Sequence, residues 1–358
     1  MRVLVVGAGA IGAFVGGRLR VGGHEVALIG RRGFVEEARR AGIHIEEGAN
    51  RVVARDVAAF EQIVEACPAF APVDLIIVAV KSYDTAAVAD ELRACPELGG
   101  VPVLTLQNGV GNEELLGQRL GAERVVAGVI TSSVTMEGPA RLKVARSGLI
   151  GVAPVRSERA CETALNILSD AGIPVVQYAE YRGLKWSKLL MNLTANASSA
   201  ILGWEPARIF AHPEIGRLEV SAWKEALAVM RALGVRPVTV GSYRWPLYAV
   251  LMRLLPEGWI RVGALRMASR GRGEKMPSLH LDLHRGRARS EVGWLNGAVV
   301  RYGEQRSVPV PVNRTLAEVL KALVERKLPL ERALDRPDRL MAAVEAARAG
   351  RDPLAAYT

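Results

Sequence analysis

The chain is expected to fold in the α/β class, as a doubly wound parallel sheet followed by an all-helical C-terminal domain. Three observations predict this. A buried strand at the amino terminus runs directly into a glycine-rich turn and a helix. Short β-branched runs then alternate with helical stretches, the pattern of βαβ units whose sheet is covered on both faces. From about Tyr181 the pattern changes to long helices with few convincing strands. At 358 residues the chain has room for two domains, each able to bury a core without disulfides or structural metal. The boundary is placed near Ala179, giving one domain over 1–179 and a helical one over 180–358.

The first strand, Arg2 to Val6, feeds Gly7-Ala8-Gly9-Ala10-Ile11-Gly12 and a helix from Ala10 to Arg20. In such a GxGxxG turn Gly7 permits the tight turn, Gly9 lets a pyrophosphate approach the backbone N–H groups at the helix start, and Gly12 allows close packing of strand and helix. The motif alone is weak evidence. Placed on the first strand, with the second strand, Glu25 to Ile29, ending about 20 residues on, it predicts dinucleotide binding in a Rossmann-type sheet. At the end of that second strand an acidic residue would bond the ribose 2′-OH of NAD, whereas this chain has Gly30-Arg31-Arg32. A guanidinium pairs bidentately with a 2′-phosphate, so NADP (NADPH) is expected, with Arg31 the nearer candidate. The competing reading makes both arginines surface residues.

Later elements follow in order. Ile43 to Ala54 reads as a hairpin inserted after the second helix, Leu75 to Val80, Val103 to Leu106 and Val125 to Thr131 as strands, and Thr85 to Ala94 as a crossover helix. Two loops at the carboxyl ends of strands carry polar residues where doubly wound sheets place ligands: Val80-Lys81-Ser82 and Gln107-Asn108-Gly109. Lys81 is placed to face cofactor or substrate anions, and Asn108 to bond the nicotinamide ribose or the reacting group. Strand-end lysines and Asn-Gly turns are also common structural devices, and spacing does not decide between the two roles.

In the second half, helices are expected over Arg182 to Ile201, Pro213 to Leu233, Glu291 to Tyr302 and Asn313 to Arg326. The first is the most informative. At about 100° per residue, Lys185, Lys188, Asn192 and Asn196 fall within about 80° of one face, and leucines, Trp186 and Met191 occupy most of the rest. A helix apolar nearly all round is buried, so a narrow polar stripe must find partners or line a cleft. The bland alternative is a solvated stripe at a domain edge. A ketone reductase needs what the stripe offers: a cation or acid near the carbonyl oxygen, and amides that both donate and accept.

Composition narrows the partners. Half the residues are hydrophobic and 23% are charged, and no apolar run approaches the roughly 18 residues that would cross a bilayer, so membrane insertion is not expected. The amino terminus has no leader pattern, which reads as cytoplasmic. Cys67, Cys95 and Cys161 form no CxxC pair and lie near no histidine cluster, so core thiols are expected rather than a disulfide or zinc site. The net charge of +10 leaves nucleic acid or anionic small molecules open. Much of it lies between Arg253 and Arg289, in RGRGEKMP and HRGRARS, without interleaved aromatics or a DNA-reading motif, which favours a solvated surface or a contribution to anion binding over nucleic acid. Trp223, Trp245 and Trp259 mark the helical domain as a candidate face for a homodimer.

Five segments in this order, GAGAIG with Arg31, VAVKSYD with Lys81, LQNGVGNEE with Asn108, KWSKLLMNLTAN and SEVGWLNG with Glu291, make the chain resemble the ketopantoate reductase family over nearly its whole length. The resemblance implies an NADPH-dependent reduction of 2-dehydropantoate (ketopantoate), a small keto acid, in pantothenate and coenzyme A synthesis. It implies Lys188 as proton donor, Asn192 and Asn196 as substrate ligands, Asn108 in contact with cofactor and substrate, and Glu291 at the closed site beside the nicotinamide. The family serine that holds the substrate carboxylate best matches Ser278. This chain departs from the family in Met276-Pro277-Ser278-Leu279-His280-Leu281-Asp282, where SSMxQD is common, and in Ala197, where proline is usual. The expected mechanism has NADPH along Gly7 to Gly12 and substrate in a cleft between domains, where Lys188 protonates the alkoxide. Glu291 either orients Lys188 or a substrate hydroxyl or serves as a structural helix-start carboxylate. The competing assignments are a related keto acid, opine or glycerol-phosphate dehydrogenase and a non-catalytic NADPH-binding regulator.

Overall fold

The computed structural model describes residues 1–271 and 276–358. Compactness divides it into two units, one of Met1–Lys185 with Val240–Ser242 and one of Trp186–Thr239 with Tyr243–Thr358.

The first unit alternates strand and helix as its sequence does: β1 (Arg2–Val6), α1 (Ala10–Val21), β2 (Glu25–Ile29), α2 (Arg32–Ala41), β3 (Ile43–Glu47), β4 (Asn50–Ala54), β5 (Ala58–Phe60), α3 (Ile63–Phe70), β6 (Leu75–Val78), α4 (Thr85–Arg93), β7 (Val103–Thr105), α5 (Asn112–Leu120), β8 (Val125–Ile130), β9 (Ser133–Gly138), β10 (Arg141–Arg146), β11 (Ile150–Pro154), α6 (Glu158–Asp170) and β12 (Val175–Gln177). An eight-stranded sheet takes the order β12-β11-β8-β7-β6-β1-β2-β5, parallel except where β8 meets β11. Its central strands are apolar on both faces because helices cover both: Val3 and Val5 pack in one core cluster, Leu4 and Val6 in the other. The hairpin expected over Ile43 to Ala54 is β3–β4, and it belongs to a second, four-stranded sheet ordered β4-β3-β10-β9. The sequence reading did not include strands β9 to β12, nor the parallel pairing of β10 with the distant β3 that sets Arg141 against His44 and closes the second sheet.

One expectation about the cysteines fails. Cys67 on α3 is disulfide-bonded to Cys95, with the two Cα atoms 6.3 Å apart and a sequence separation of 28. Nothing in that spacing marks the pair; packing of α3 beside the segment after α4 creates it. Cys161 is a free, buried thiol, its pKa raised to about 11 chiefly by burial.

Helices dominate the rest: α7 (Tyr181–Leu193), α8 (Asn196–Leu202), α9 (Pro206–Ala211), α10 (Pro213–Ala232), then a short ladder of β13 (Thr239–Val240) and β14 (Tyr243–Arg244), then α11 (Trp245–Leu254), α12 (Glu257–Gly271), α13 (Ser278–His284), a 3₁₀ turn over Glu291–Trp294, α14 (Asn296–Gln305), α15 (Pro311–Val324) and α16 (Pro337–Arg348). The helix expected to run unbroken from Arg182 to Ile201 is in fact two. Ala195 stands between α7 and α8 in the left-handed region, at φ 50°, a conformation that costs an alanine roughly 1 kcal/mol or more. Buried Glu219 holds the break open, accepting from the Ala195 N–H at 2.7 Å and the Ser198 hydroxyl at 2.6 Å. The tryptophans also need correction. Trp223 and Trp245 lie in the core against Phe210 and each other, and only Trp259 of the three is exposed, at 73%. Of the basic segment, Arg272 to Lys275 lies outside the described residues. No helix among the described residues is long and apolar enough to cross a membrane, and no group of three metal-ligating side chains occurs among them.

Candidate active site

Four expected site segments meet at one edge of the large sheet. Val6 pairs with Ile29 on one side and Val78 on the other, and Val78 pairs with Thr105. The carboxyl ends of β2, β1, β6 and β7 therefore stand side by side. The segments leaving them carry Arg31, Gly7 to Gly12, Lys81 and Asn108, at the place where open parallel sheets bind ligands.

The glycine turn has the geometry its sequence predicts. Gly7 sits at φ +106°, and a Cβ there would come within 2.7 Å of the Val80 backbone nitrogen. A Cβ on Gly12 would overlap the Gly7 carbonyl oxygen, so α1 could not lie this close to β1. A Cβ on Gly9 would meet nothing within 4 Å, so this residue is glycine where the backbone faces open space at the start of α1. The first-turn N–H groups of Ala10, Ile11 and Gly12 have no partner inside their helix, and with the helix dipole they suit a pyrophosphate. The turn is pinned by Gly7 and Ala8 donating to the Ile29 carbonyl, at 3.1 and 2.8 Å. At the end of β2 the two arginines differ. Arg32 is committed to Glu36 at 2.8 Å, whereas the exposed Arg31 guanidinium makes no hydrogen bond or ion pair among the described residues. A dinucleotide with a 2′-phosphate fits this edge.

Lys81 and Asn108 are both half-buried, and a buried polar network stitches their loops together. The Ser82 hydroxyl and the Asn112 amide donate to the Asn108 carbonyl at 2.8 and 3.0 Å. Gln107 donates to the Val80 carbonyl at 3.1 Å and to the Thr85 hydroxyl at 2.8 Å. Every member sits in a low-dielectric surrounding where an unmet partner is costly, so the network holds each loop in one arrangement. Sequence reasoning passed over Ser82, Thr85, Gln107 and Asn112, although the polar density of LQNGVGN was the available signal.

Helix α7 is buried almost all round, with Lys188 and Asn192 half-buried among buried neighbours from Leu184 to Leu193. Being four residues apart, the two share one face. The fourth stripe member, Asn196, opens α8 after the break. Its Oδ1 accepts from the Leu279 N–H at 3.0 Å and its amide nitrogen lies 3.4 Å from the Ser278 hydroxyl. Two residues expected to hold substrate are thus brought together from separate helices. Glu291, 4% exposed, begins the 3₁₀ turn, which Ser290 caps by accepting from Val292.

Lys185 departs from the expected stripe. It is 2% exposed, its ammonium 2.9 Å from a carboxylate oxygen of Glu113, itself 1% exposed. It also donates to the Gln107 carbonyl at 2.7 Å and the Gly128 carbonyl at 3.3 Å. Burial pushes the Glu113 carboxyl up from its ordinary value, and the Lys185 charge works against that rise. This lysine fastens the first turns of α7 to the loop after β7 rather than facing a reacting group.

A doubly wound sheet with an open glycine turn, followed by a helical unit that supplies a half-buried lysine and amides, defines a nicotinamide-dinucleotide reductase of the two-unit kind. Residues 3–157 match the family model described as "Ketopantoate reductase PanE/ApbA", and residues 180–324 match the model of its C-terminal domain. The chain belongs to the ketopantoate reductase family. It is 32% identical over 327 residues to a 2-dehydropantoate 2-reductase of Halobacterium salinarum, covering 90% of this chain and 98% of that protein. A 2-dehydropantoate 2-reductase of Archaeoglobus fulgidus is 27% identical over 324 residues, covering 90% and 97%. Among solved structures, a PanE/ApbA family ketopantoate reductase from Ralstonia eutropha JMP134 superposes with a TM-score of 0.77 at 29% identity, over 91% of this chain and 99% of that one. D-mandelate dehydrogenase bound to NADH and anilino(oxo)acetate shares the fold, with a TM-score of 0.76 at 22% identity over the same fractions.

Proposed function

We propose that this chain reduces 2-dehydropantoate to pantoate with NADPH, in the cytoplasm, as a step of pantothenate and coenzyme A synthesis. The observation that carries the proposal is the pair Lys188 and Asn192, half-buried on the one polar face of an otherwise buried helix. NADPH, when bound, supplies the hydride. Residues 1–179 would hold it through Gly7, Ala8, Gly9, Ala10, Ile11 and Gly12, with Arg31 on the 2′-phosphate and Lys81 and Asn108 toward its other groups, and Glu291 of the helical segment is a further cofactor-binding candidate. Residues 180–358 would serve the keto acid. Asn108, Asn192, Asn196 and Ser278 are the residues assigned to orient its polar groups, and Lys188 gives a proton to the oxygen on which negative charge develops. Glu291, with Lys188 among the groups assigned to the chemistry, orients that lysine or a substrate hydroxyl. A homodimer belongs to the proposal too, now resting on Trp259 and its exposed neighbours Leu254 and Leu255, an apolar cluster a monomer leaves in water.

The test of the assignment is NADPH oxidation with ketopantoate set against other branched 2-keto acids. The expected result is the highest kcat/KM with ketopantoate; a clear preference for another keto acid would move the chain to a related dehydrogenase activity. Tight NADPH binding with no carbonyl compound reduced would identify a regulator instead.

The cofactor arm has its own prediction. Arg31→Asp removes the one unpaired guanidinium at the end of β2 and leaves an acid against a phosphate. The NADPH KM should rise about tenfold to a hundredfold, as expected for loss of a charge-assisted bidentate contact. The NADH KM should move little, because the acid can bond a 2′-hydroxyl. Equal changes with both cofactors would remove Arg31 from this role.

A further inference from the structure

The end of α10, the loop after it and α11 enclose an open cavity of about 590 Å³ in the helical unit, a volume typical of small-molecule sites. None of its lining residues has a part in the reduction proposed above. Four cations line it and no acid does: Lys224 and Arg231 from α10, Arg236 from the loop, and Arg253 from α11. Lys224 is met by Glu257 at 2.9 Å. Arg231, Arg236 and Arg253 are exposed and make no hydrogen bond or ion pair among the described residues. Between the cations the lining is apolar, with Leu227, Pro237 and Ala249 half-buried and Val235 and Met252 buried.

These features point to one ligand chemistry. Guanidinium groups spend their donors best on the oxygens of a phosphate or carboxylate. Uncompensated like charges around a low-dielectric concavity focus a positive potential that draws an anion in. An inorganic ion would satisfy the arginines and leave the half-buried Leu227, Pro237 and Ala249 of the lining in water, whereas an anion attached to an apolar body would cover both. We propose that this cavity binds an amphiphilic anion, its phosphate or carboxylate head held by Arg231, Arg236 and Arg253 and its apolar body laid against Leu227, Pro237 and Ala249. The head can belong to a free amphiphile or to a lipid in a membrane surface, since α11 also exposes Leu247 and Val250 at 47 and 49%.

Calorimetric titration of the full chain with octyl phosphate, kept below its micelle concentration, tests this beside sedimentation with phosphatidylglycerol vesicles. Arg231 and Arg236 are exposed, so Arg231→Gln/Arg236→Gln is expected to fold and to keep the basal reductase rate. The expected result is saturable binding at one site per chain, weakened at least about tenfold in the variant as charge-assisted contacts are lost, with inorganic phosphate at equal concentration failing to compete. Binding of octyl phosphate without vesicle attachment assigns a soluble amphiphile, and arginine-dependent sedimentation assigns a lipid head group. The proposal is overturned if neither probe binds, if binding ignores the two arginines, or if inorganic phosphate competes as well as octyl phosphate. Each readout is independent of keto acid reduction, so failure here leaves the reductase assignment standing.

Discussion

Replacing Lys188 with alanine is expected to lower turnover by about 10²- to 10⁴-fold, the range a positioned general acid contributes, while the NADPH dissociation constant changes little. The two effects separate because the groups assigned to the pyrophosphate and 2′-phosphate sit on the β1 and β2 turns, not on α7. A ketone taking up hydride becomes an alkoxide, and without a positioned donor that charge must wait for a proton from water. The ammonium of Lys188 is half-buried on α7 beside an equally half-buried Asn192, so its loss leaves no cavity in a tightly packed core. Thermal unfolding of Lys188→Ala should stay close to that of the parent. Stopped-flow measurement of NADPH oxidation at saturating keto acid reads the chemical step, and fluorescence titration of NADPH reads binding. Turnover within a few fold of normal would refute the assigned acid. Loss of NADPH binding in parallel with turnover would make Lys188 a cofactor ligand instead.

Much of this site was legible because its causes are local. Gly7, Gly9 and Gly12 each answer to a constraint set within a few residues: a positive φ, an open face and a close approach of helix to strand. Strands β1, β2, β6, β7 and β8 announce themselves as short β-branched runs because both faces of the sheet are covered. What the sequence hid depends on partners far away in the chain. Cys67 and Cys95 carry no sign of each other, and β10 joins the β3–β4 hairpin through a parallel pairing that sets Arg141 against His44. Ala195 gives no local hint of a left-handed φ. The break it makes is held by Glu219 from α10, which is why a single polar stripe from Lys185 to Asn196 was drawn where the structure has three different environments. Ser278 was placed by family resemblance alone, and the structure adds its nearness to Asn196. Lys185 and Lys188 are the same residue type one helical turn apart, and only the three-dimensional position of Glu113 tells them apart.

That difference gives the second large expected effect. Lys185→Met keeps roughly the length of the side chain and removes its charge, leaving Glu113 at 1% exposure with no cation beside it. Breaking a buried ion pair from one side costs about 3 to 5 kcal/mol, because the remaining charge is stranded. The Gln107 and Gly128 carbonyls lose their donor as well. The loss has a direction in pH. Burial already raises the Glu113 carboxyl above its ordinary value, and removing Lys185, which pulls it down, raises it further. A carboxyl whose folded pKa exceeds its unfolded one contributes stability below the unfolded value and loses it as pH rises through the folded one. The variant should therefore fall short of the parent by less in mildly acidic buffer, which favours the neutral carboxyl, and by more in mildly alkaline buffer. Urea unfolding in the two buffers measures this. Lys185→Met/Glu113→Gln removes both charges and should recover most of the loss and flatten its pH dependence. A double variant as unstable as the single one would mean that Lys185 acts through the two carbonyls, and that the pairing with Glu113 contributes little.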